Sequence, residues 1–383
     1  MEEILVVNAG SSSVKFSLFD NDLAQIVDGS VTGIGGAALL RVDDVITPCA
    51  APDHAPALRL CLAELAARGH APGRLMAAAH RVVHGGLALR AACRVTPAVM
   101  DGIAACIPLA PLHNPANLAA IRALAEIAPG LPQYASFDTA FHATNPEVAT
   151  RYAIPAEYDA MGIRRYGFHG ISYASLVQRL PDLTGQALPR RLLALHLGNG
   201  ASLCAILAGQ SVATTMGYSP IEGLSMGTRA GGIDGNAVLR LAALHGVEGA
   251  GRILNQESGL LALGGASDMR ALRAMGTIEA GFAVRHFCYW ALRHAGSMIA
   301  AMGGLDALVF TGGIGENDAG VRAEILTGLA WAGVVMDAEA NQKEAARLHH
   351  STSQVAIWTV PAREERQIAA EALAVIAADT GTT

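Results

Sequence analysis

Residues 4–7 form an unbroken aliphatic run, the signature of a strand buried on both faces. Gly10 and the serines Ser11, Ser12 and Ser13 interrupt the run, after which Val14, Phe16 and Leu18 alternate with Lys15 and Ser17. That period of two predicts a second strand folded back on the first. Strand patterns return at 75–83, 133–137, 308–310 and 355–360, while 57–67, 117–127 and 281–302 carry aliphatics at the three-and-four spacing of a helix. Residues 29–54, rich in Gly, Asp and Pro, predict an irregular connection with short strands. Strands and helices alternating in this way predict an α/β protein.

The opening pattern recurs. Residues 193–207, LALHLGNGASLCAIL, align without a gap on residues 5–19, LVVNAGSSSVKFSLF, with Leu5 on Leu193, Val7 on Leu195, Asn8 on His196 and Gly10 on Gly198. Beyond the glycine the match is of character. Taken as a repeat, it means two similar domains, each offering a phosphate loop; two unrelated hairpins would give the same pattern. The tip near Gly10, with bare N–H groups, three hydroxyls, Asn8 before it and Lys15 after it, suits a phosphate. An ordinary hairpin turn carries the same residues. A third glycine loop follows the strand at 308–310, as Gly312-Gly313-Ile314-Gly315, with a helix predicted from about Asp318. Ligands sit at the C-terminal ends of strands in such sheets.

Polar residues with chemistry gather beside these turns. HRVVHGG (80–86) places Arg81 on a strand before a double glycine, and PLHNP (111–115) ends in an Asn-Pro turn that sets His113 in a loop. SFDTAFH (136–142) carries Asp138 just past a buried strand, and RYGFHG (165–170) offers Arg165 and His169. GLSMGTRAGG (223–232) sets Arg229 amid glycines, and VPAREER (360–366) puts Glu364 and Glu365 after a strand. Each alone fits a structural duty, a core histidine or a solvated arginine. Together, cations and acids beside glycine turns predict one nucleotide cleft.

Composition bounds the partners. A chain of 383 residues exceeds one ordinary core, so two domains are expected. With 52% hydrophobic and 16% charged residues it reads as compact and globular. A net charge of −6 leaves no basic footprint for nucleic acid or an anionic membrane surface. Gly, Pro or charge interrupts every apolar stretch before it reaches spanning length. The acidic start, Met1-Glu2-Glu3, runs into a strand and does not read as a secretory signal. Cys49, Cys61, Cys93, Cys106, Cys204 and Cys288 lack CxxC or metal spacing, which predicts small buried hydrophobes in a reducing cytoplasm.

Ten stretches in order carry a family resemblance: NAGSSSVKF, HRVVHGG, APLHNPANL, FDTAFH, RRYGFHG, HLGNGAS, MGTR, SGLL with SDMR, FTGGIGEN and a late VP followed by paired glutamates. From Ile4 to about Ile368 the chain resembles acetate kinase and its propionate and butyrate kinase relatives, within the sugar kinase, heat-shock ATPase and actin superfamily. The resemblance implies an α/β fold of two duplicated actin-like (ribonuclease H-like) ATPase domains flanking a nucleotide cleft. Residues 1–139 completed by 366–383 would form the first domain, and 140–365, with the nucleotide site, the second. It also implies reversible phosphoryl transfer from ATP to acetate, giving acetyl phosphate and ADP, with Mg2+ or Mn2+, in the cytoplasm, by a homodimer that engages neither nucleic acid nor membrane.

By the same resemblance, Arg81 holds the carboxylate, His169 and Arg229 stabilise the phosphoryl oxygens in flight, and Asp138 is the family's catalytic acid. Asn8 and Glu364 match the magnesium side, with Lys15 near the phosphates. His196, Leu197, Gly198, Asn199 and Gly200 match the phosphate loop, and Asp268, Met269, Arg270, Gly313, Ile314, Gly315, Glu316 and Asn317 the adenosine site. Val83, Leu112, Phe168 and Pro220 match a small apolar pocket, so the acid's tail is expected to be short. An acid of acetate's kind has a pKa of about 4–5 and is ionised at neutral pH, so it needs no general base. The difficulty is the approach of two anions, which cations and in-line positioning relieve. Asp138 is therefore expected to orient Arg81 or a metal-bound water. Tyr173, Ala213, Gly232, Gly235 and Arg363 depart from the family pattern.

Three alternatives stand beside this reading. Propionate or butyrate could be the preferred acid. An actin-like assembly or chaperone-type ATPase would leave Arg81 and the apolar pocket without a task. A Rossmann dehydrogenase, suggested by GGIGEN alone, lacks the G-x-G-x-x-G context.

Overall fold

The computed structural model describes residues 3–381, so the acidic start Met1-Glu2 and the last two residues of the expected first domain lie outside it. The chain divides into two compact units. One comprises the residues up to Phe141, Gly170–Ser175 and those from Arg363 onward; the other comprises His142–His169 and Leu176–Ala362.

The first unit is built on strands β1 (Glu3–Gly10), β2 (Ser13–Asp20), β3 (Gln25–Thr32), β4 (Ala38–Val42), β5 (Val45–Cys49), β6 (Leu75–Val82), β7 (Cys93–Arg94) and β8 (Gln133–Phe137), in the order β5-β4-β3-β2-β1-β6-β8-β7. The predicted opening hairpin forms, with Gly10 opposite Ser13 and Ser11-Ser12 as its tip. Residues 29–54 are more regular than expected. Ala38, Leu40 and Val42 alternate inward, and Asp43, at φ 49°, helps to make a tight turn into β5. Period-two burial therefore outweighs the turn-forming composition that predicted irregularity.

Strand β1 is buried on both faces, as its aliphatic run requires. Leu5 and Val7 share a core with Leu58, Leu62 and Leu65 of the helix His54–Ala67 and with Leu124 of the helix Asn114–Ile127. Ile4 and Val6, with Ala77 and Ala79 of β6, meet Ile368, Ala369 and Ala372 of the helix Glu364–Thr380. Helices predicted from 57, 117 and 281 begin three residues earlier, at His54, Asn114 and Ile278, because their start signals lie upstream. Asp53 accepts from the Ala55 N–H and Thr277 from the Ala280 N–H. Asn114-Pro115 is thus not a separate turn: proline in the first helical turn has no N–H to waste, and His113 is the N-cap residue.

In the second unit β9 (Arg191–Leu197), β10 (Ala201–Leu207), β11 (Gln210–Thr214), β12 (Ala307–Thr311) and β13 (Ala356–Thr359) lie in the order β11-β10-β9-β12-β13. Two antiparallel steps followed by two parallel ones reproduce β3-β2-β1-β6-β8 of the first unit. The repeat is therefore one of topology as well as sequence. It slips at the tip, however: Leu197 pairs with Ala201 around Gly198-Asn199-Gly200, so β10 runs one residue out of step with β2. Behind this sheet the helix Ile278–Met302 buries Ala283, Phe287, Ala291 and Ala295.

The helix expected from about Asp318 forms, but the third glycine segment before it is not a loop. The chain turns helical at once, over Gly312–Asn317, and Asp318 caps a second helix, Ala319–Gly328. Gly312 makes the turn at φ 78°, where a Cβ would lie 2.8 Å from the Leu197 carbonyl oxygen.

Candidate active site

In the first unit the site grows out of one sheet face. Asn8 and Lys15 oppose each other on β1 and β2, and Val7 opposes His80 on the parallel neighbour β6. Asn8 and Arg81 therefore follow Ile4, Val6, Ala77 and Ala79 on the face that carries the Glu364–Thr380 helix, at the ends of their strands where the apolar row gives way to polar groups. Arg81 faces Ser136 on β8, and Asp138, two residues on, grips it from the side. Arg81 Nε–H donates to Oδ1 at 3.0 Å and Nη2–H to Oδ2 at 2.7 Å, a planar two-point pairing with a carboxylate only 2% exposed. Burial opposes the charge on Arg81, but Asp138, Glu364 and Glu365 outweigh it and hold the guanidinium above the ordinary arginine range.

Glu364 opens the helix, where a carboxylate suits the dipole. Burial pushes its pKa up and Asp138 adds to that, while Arg81 and Lys15 pull it back. Two buried asparagines, quoted in the APLHNPANL stretch but given no role by sequence reasoning, set the segment after Arg81. Asn117 Oδ1 accepts from the Val83 N–H at 3.1 Å and its Nδ2–H donates to the Ala9 carbonyl at 2.7 Å; Asn114 Oδ1 accepts from the His84 N–H at 3.1 Å.

In the second unit a cavity of about 860 Å³ gathers eight expected nucleotide residues: Gly198, Asn199, Asp268, Met269, Arg270, Gly313, Ile314 and Asn317. It adds Ser267, Arg273, Asp318, Ala319 and Gly320, which sequence reasoning missed. Asp268 caps the helix Met269–Met275; the Arg270 guanidinium and the Ala271 N–H hold its carboxyl down at about 2. Arg273 pairs with Asp318 at 2.6 and 2.7 Å. Gly315, Glu316, His196, Leu197 and Gly200 do not line this cavity. Glu316 has structural work instead, its Oε1 accepting from the N–H groups of Gly312 and Ala362. Arg322, with no exposed surface, donates to the Gly315, Glu316 and Asn341 carbonyls and to Asn341 Oδ1.

Beside this cavity His169 adopts φ 59°, a left-handed conformation that costs a non-glycine residue roughly 1–2 kcal/mol. Its Nδ1 lies 2.9 Å from Ser202 Oγ and its ring stacks on His196 at 4.2 Å. A Cβ placed on Gly200 would lie 3.2 Å from His169 Nε2 and 3.7 Å from Arg229 Nη1, so the loop tip, the imidazole and the guanidinium converge. Arg229 Nη1–H also donates to the Pro220 carbonyl at 3.4 Å. Phe168 and Pro220 belong to this unit, and the buried Val83 and exposed Leu112 to the other. Of the departures, Tyr173 is buried with its ring 6.3 Å from Phe141, Ala213 faces Ala205, and Gly232 N–H donates to the Gly223 carbonyl. Gly235 borders open space, and Arg363 precedes its helix without a side-chain cap.

The profile of the Acetokinase family matches residues 3–370. The chain belongs to the acetokinase family. Acetate kinase from Rhodopseudomonas palustris is 42% identical over 386 residues and acetate kinase from Nitrobacter hamburgensis 41% over 391, each alignment covering at least 96% of both chains. The crystal structure of Porphyromonas gingivalis acetate kinase superposes with a TM-score of 0.91 at 34% identity, covering 98% of this chain and 100% of that one. That of a propionate kinase from Francisella tularensis gives 0.92 at 35%, covering 97% and 99%. The two sheets of this chain are accordingly those of the actin-like ATPase fold.

Proposed function

We propose that this chain catalyses reversible transfer of the terminal phosphoryl group of ATP to acetate, by direct in-line attack of the carboxylate, yielding acetyl phosphate and ADP. The observation that carries the reading is Arg81 pinned by Asp138. Two of the guanidinium's five N–H donors go to Asp138 and three remain to receive a substrate carboxylate. An ionised carboxylate needs no proton removed, so Asp138 serves as the orienting partner of Arg81 and not as a base. In this reading His169 and Arg229 neutralise the phosphoryl oxygens, Lys15 supports the phosphates, and the 860 Å³ cavity takes the nucleoside. The resemblance assigns the methyl group to Val83 and Leu112 in the first unit and to Phe168 and Pro220 in the second.

The donors also suit a hard cation. Among the described residues no group of three or more His, Cys, Asp and Glu side chains could hold a metal ion unaided. Asn8 and Glu364 offer oxygen, the chemistry of a magnesium that keeps water and phosphate as its other ligands. Bound there, Mg2+ or Mn2+ would supply charge neutralisation of the phosphates. The free cysteines suit a reducing cytoplasm, and among the described residues no helix is long and apolar enough to cross a membrane. Exposed Leu239, Val247, Phe282 and Tyr289 offer apolar surface for a second copy in a homodimer. The domains proposed are 1–139 completed by the C-terminal segment 366–383, and 140–365 with the nucleotide site.

Trapping acyl phosphate with hydroxylamine, with ATP, magnesium and a series of short acids, tests the reaction. Hydroxamate from acetate is expected. Arg81→Ala should raise KM for acetate, while Arg229→Ala should lower kcat by about 10²–10³. Full turnover in both variants would overturn the roles. A second reading, propionate as the preferred acid, is favoured by the Francisella likeness. Since one methylene shifts kcat/KM by about 10–200-fold, direct comparison of the two acids decides.

A further inference from the structure

The residue that precedes His169 is held by a side chain the transfer itself does not use. His142, in the FDTAFH motif, is 3% exposed. A carbonyl can only accept, so His142 Nε2–H donates to the Phe168 oxygen, 3.0 Å away. Its other nitrogen is fixed as well. Nδ1 lies 2.8 Å from Ser211 Oγ, which itself lies 2.7 Å from the Asn145 side-chain amide, and Thr144 Oγ1 donates to the Ser211 carbonyl at 2.8 Å. Gly167, at φ 80°, is shaped to the same ring: a Cβ there would lie 2.6 Å from His142 Cδ2. Both residues before His169 are thus built around one imidazole. His169 itself sits in a backbone conformation that persists only where its surroundings impose it.

We propose that His142 is a positioning residue: it grips the Phe168 carbonyl so that the His169 imidazole is presented to the tip Gly198-Asn199-Gly200 beside Arg229. The inference rests on the role given above to His169. A clamp one peptide away from the acting side chain has leverage, because a displacement of about 1 Å costs on the order of 10² in rate.

The test is steady-state kinetics on the full chain with acetate and Mg-ATP, using His169→Ala, His142→Phe, His142→Gln and the double variant His142→Phe/His169→Ala, with thermal melts to establish folding. His142→Phe should lower kcat about 10- to 100-fold with both KM values within about threefold. His142→Gln, whose amide N–H reaches where Nε2–H does, should recover most of that loss. In the His169→Ala background His142→Phe should cost less than about twofold, since its partner in the effect is gone. Unchanged kcat in folded His142→Phe, or losses that multiply in the double variant, overturns the proposal. Should His142→Phe not fold, His142→Gln and Ser211→Ala carry the test. The first should keep kcat near the parent value and the second should lower it with KM preserved; full activity in Ser211→Ala, or a kcat in His142→Gln as low as in His169→Ala, overturns the clamp. Full turnover in His169→Ala would instead sink the role of His169, and the clamp with it, a failure distinct from the others.

Discussion

The two hairpins share a topology and use the same rung differently. In β1–β2 the rung is Asn8 opposite Lys15, the groups proposed to meet metal and phosphate themselves. In β9–β10 it is His196 opposite Ser202, and both turn to His169, one by stacking and one by a hydrogen bond. The one-residue slip is the physical source of the difference. With the first hairpin's register, Leu203 would oppose His196; the slip brings in a small hydroxyl instead. At this rung the first hairpin is proposed to supply ligands, while the second supplies support to His169.

The comparison is broken most easily at Lys15. Lys15→Ala should lower kcat/KM for ATP about a hundredfold, since it removes a charge proposed to sit on the phosphates. Ser202→Ala removes only a support, so kcat should fall about five- to tenfold with KM for both substrates unchanged. Equal losses in the two variants, or a KM effect at Ser202, would erase the distinction.

A smaller effect sharpens the first hairpin's half. The unfolded pKa of a glutamate is about 4.3, and burial raises that of Glu364 in the folded protein. The folded form therefore holds its proton longer than the unfolded chain, and stability falls as pH climbs from about 4.3 through the raised value. Glu364→Gln, without the charge, should melt a few degrees higher than the parent at pH 8, with the gap closing toward pH 4. A gap independent of pH would remove Glu364 as the source. The same variant should respond more weakly to magnesium.

How far the sequence carried this reading differs from element to element. The aliphatic run at 4–7 located β1 and its two-sided burial, and the gapless repeat located β9, because both depend on side-chain period alone. The slip at Gly198 was invisible: Ala201 to Ile206 are all buried, so their pattern does not say which residue opposes which. The extension β3–β5 was read as irregular because turn residues there outnumber the inward-facing apolar ones. Arg81 and Asp138 stood out by their place beside strand ends and took their roles, like the nucleotide residues, from family resemblance, whereas Asn117, Ser202, Arg273 and Arg322 act through contacts distant in the chain, which no local pattern encodes.

Arg322 has a consequence for nucleotide binding. The six-residue segment Gly312–Asn317 is too short to be a stable helix alone, yet a buried guanidinium ties its last carbonyls to Asn341 and so to the interior. A ligand leaning on Gly313 or Ile314 meets backbone whose freedom was surrendered when the chain folded. Its association need not pay that entropy again, so tight capture and rapid exchange can coexist at a surface that does not have to rearrange.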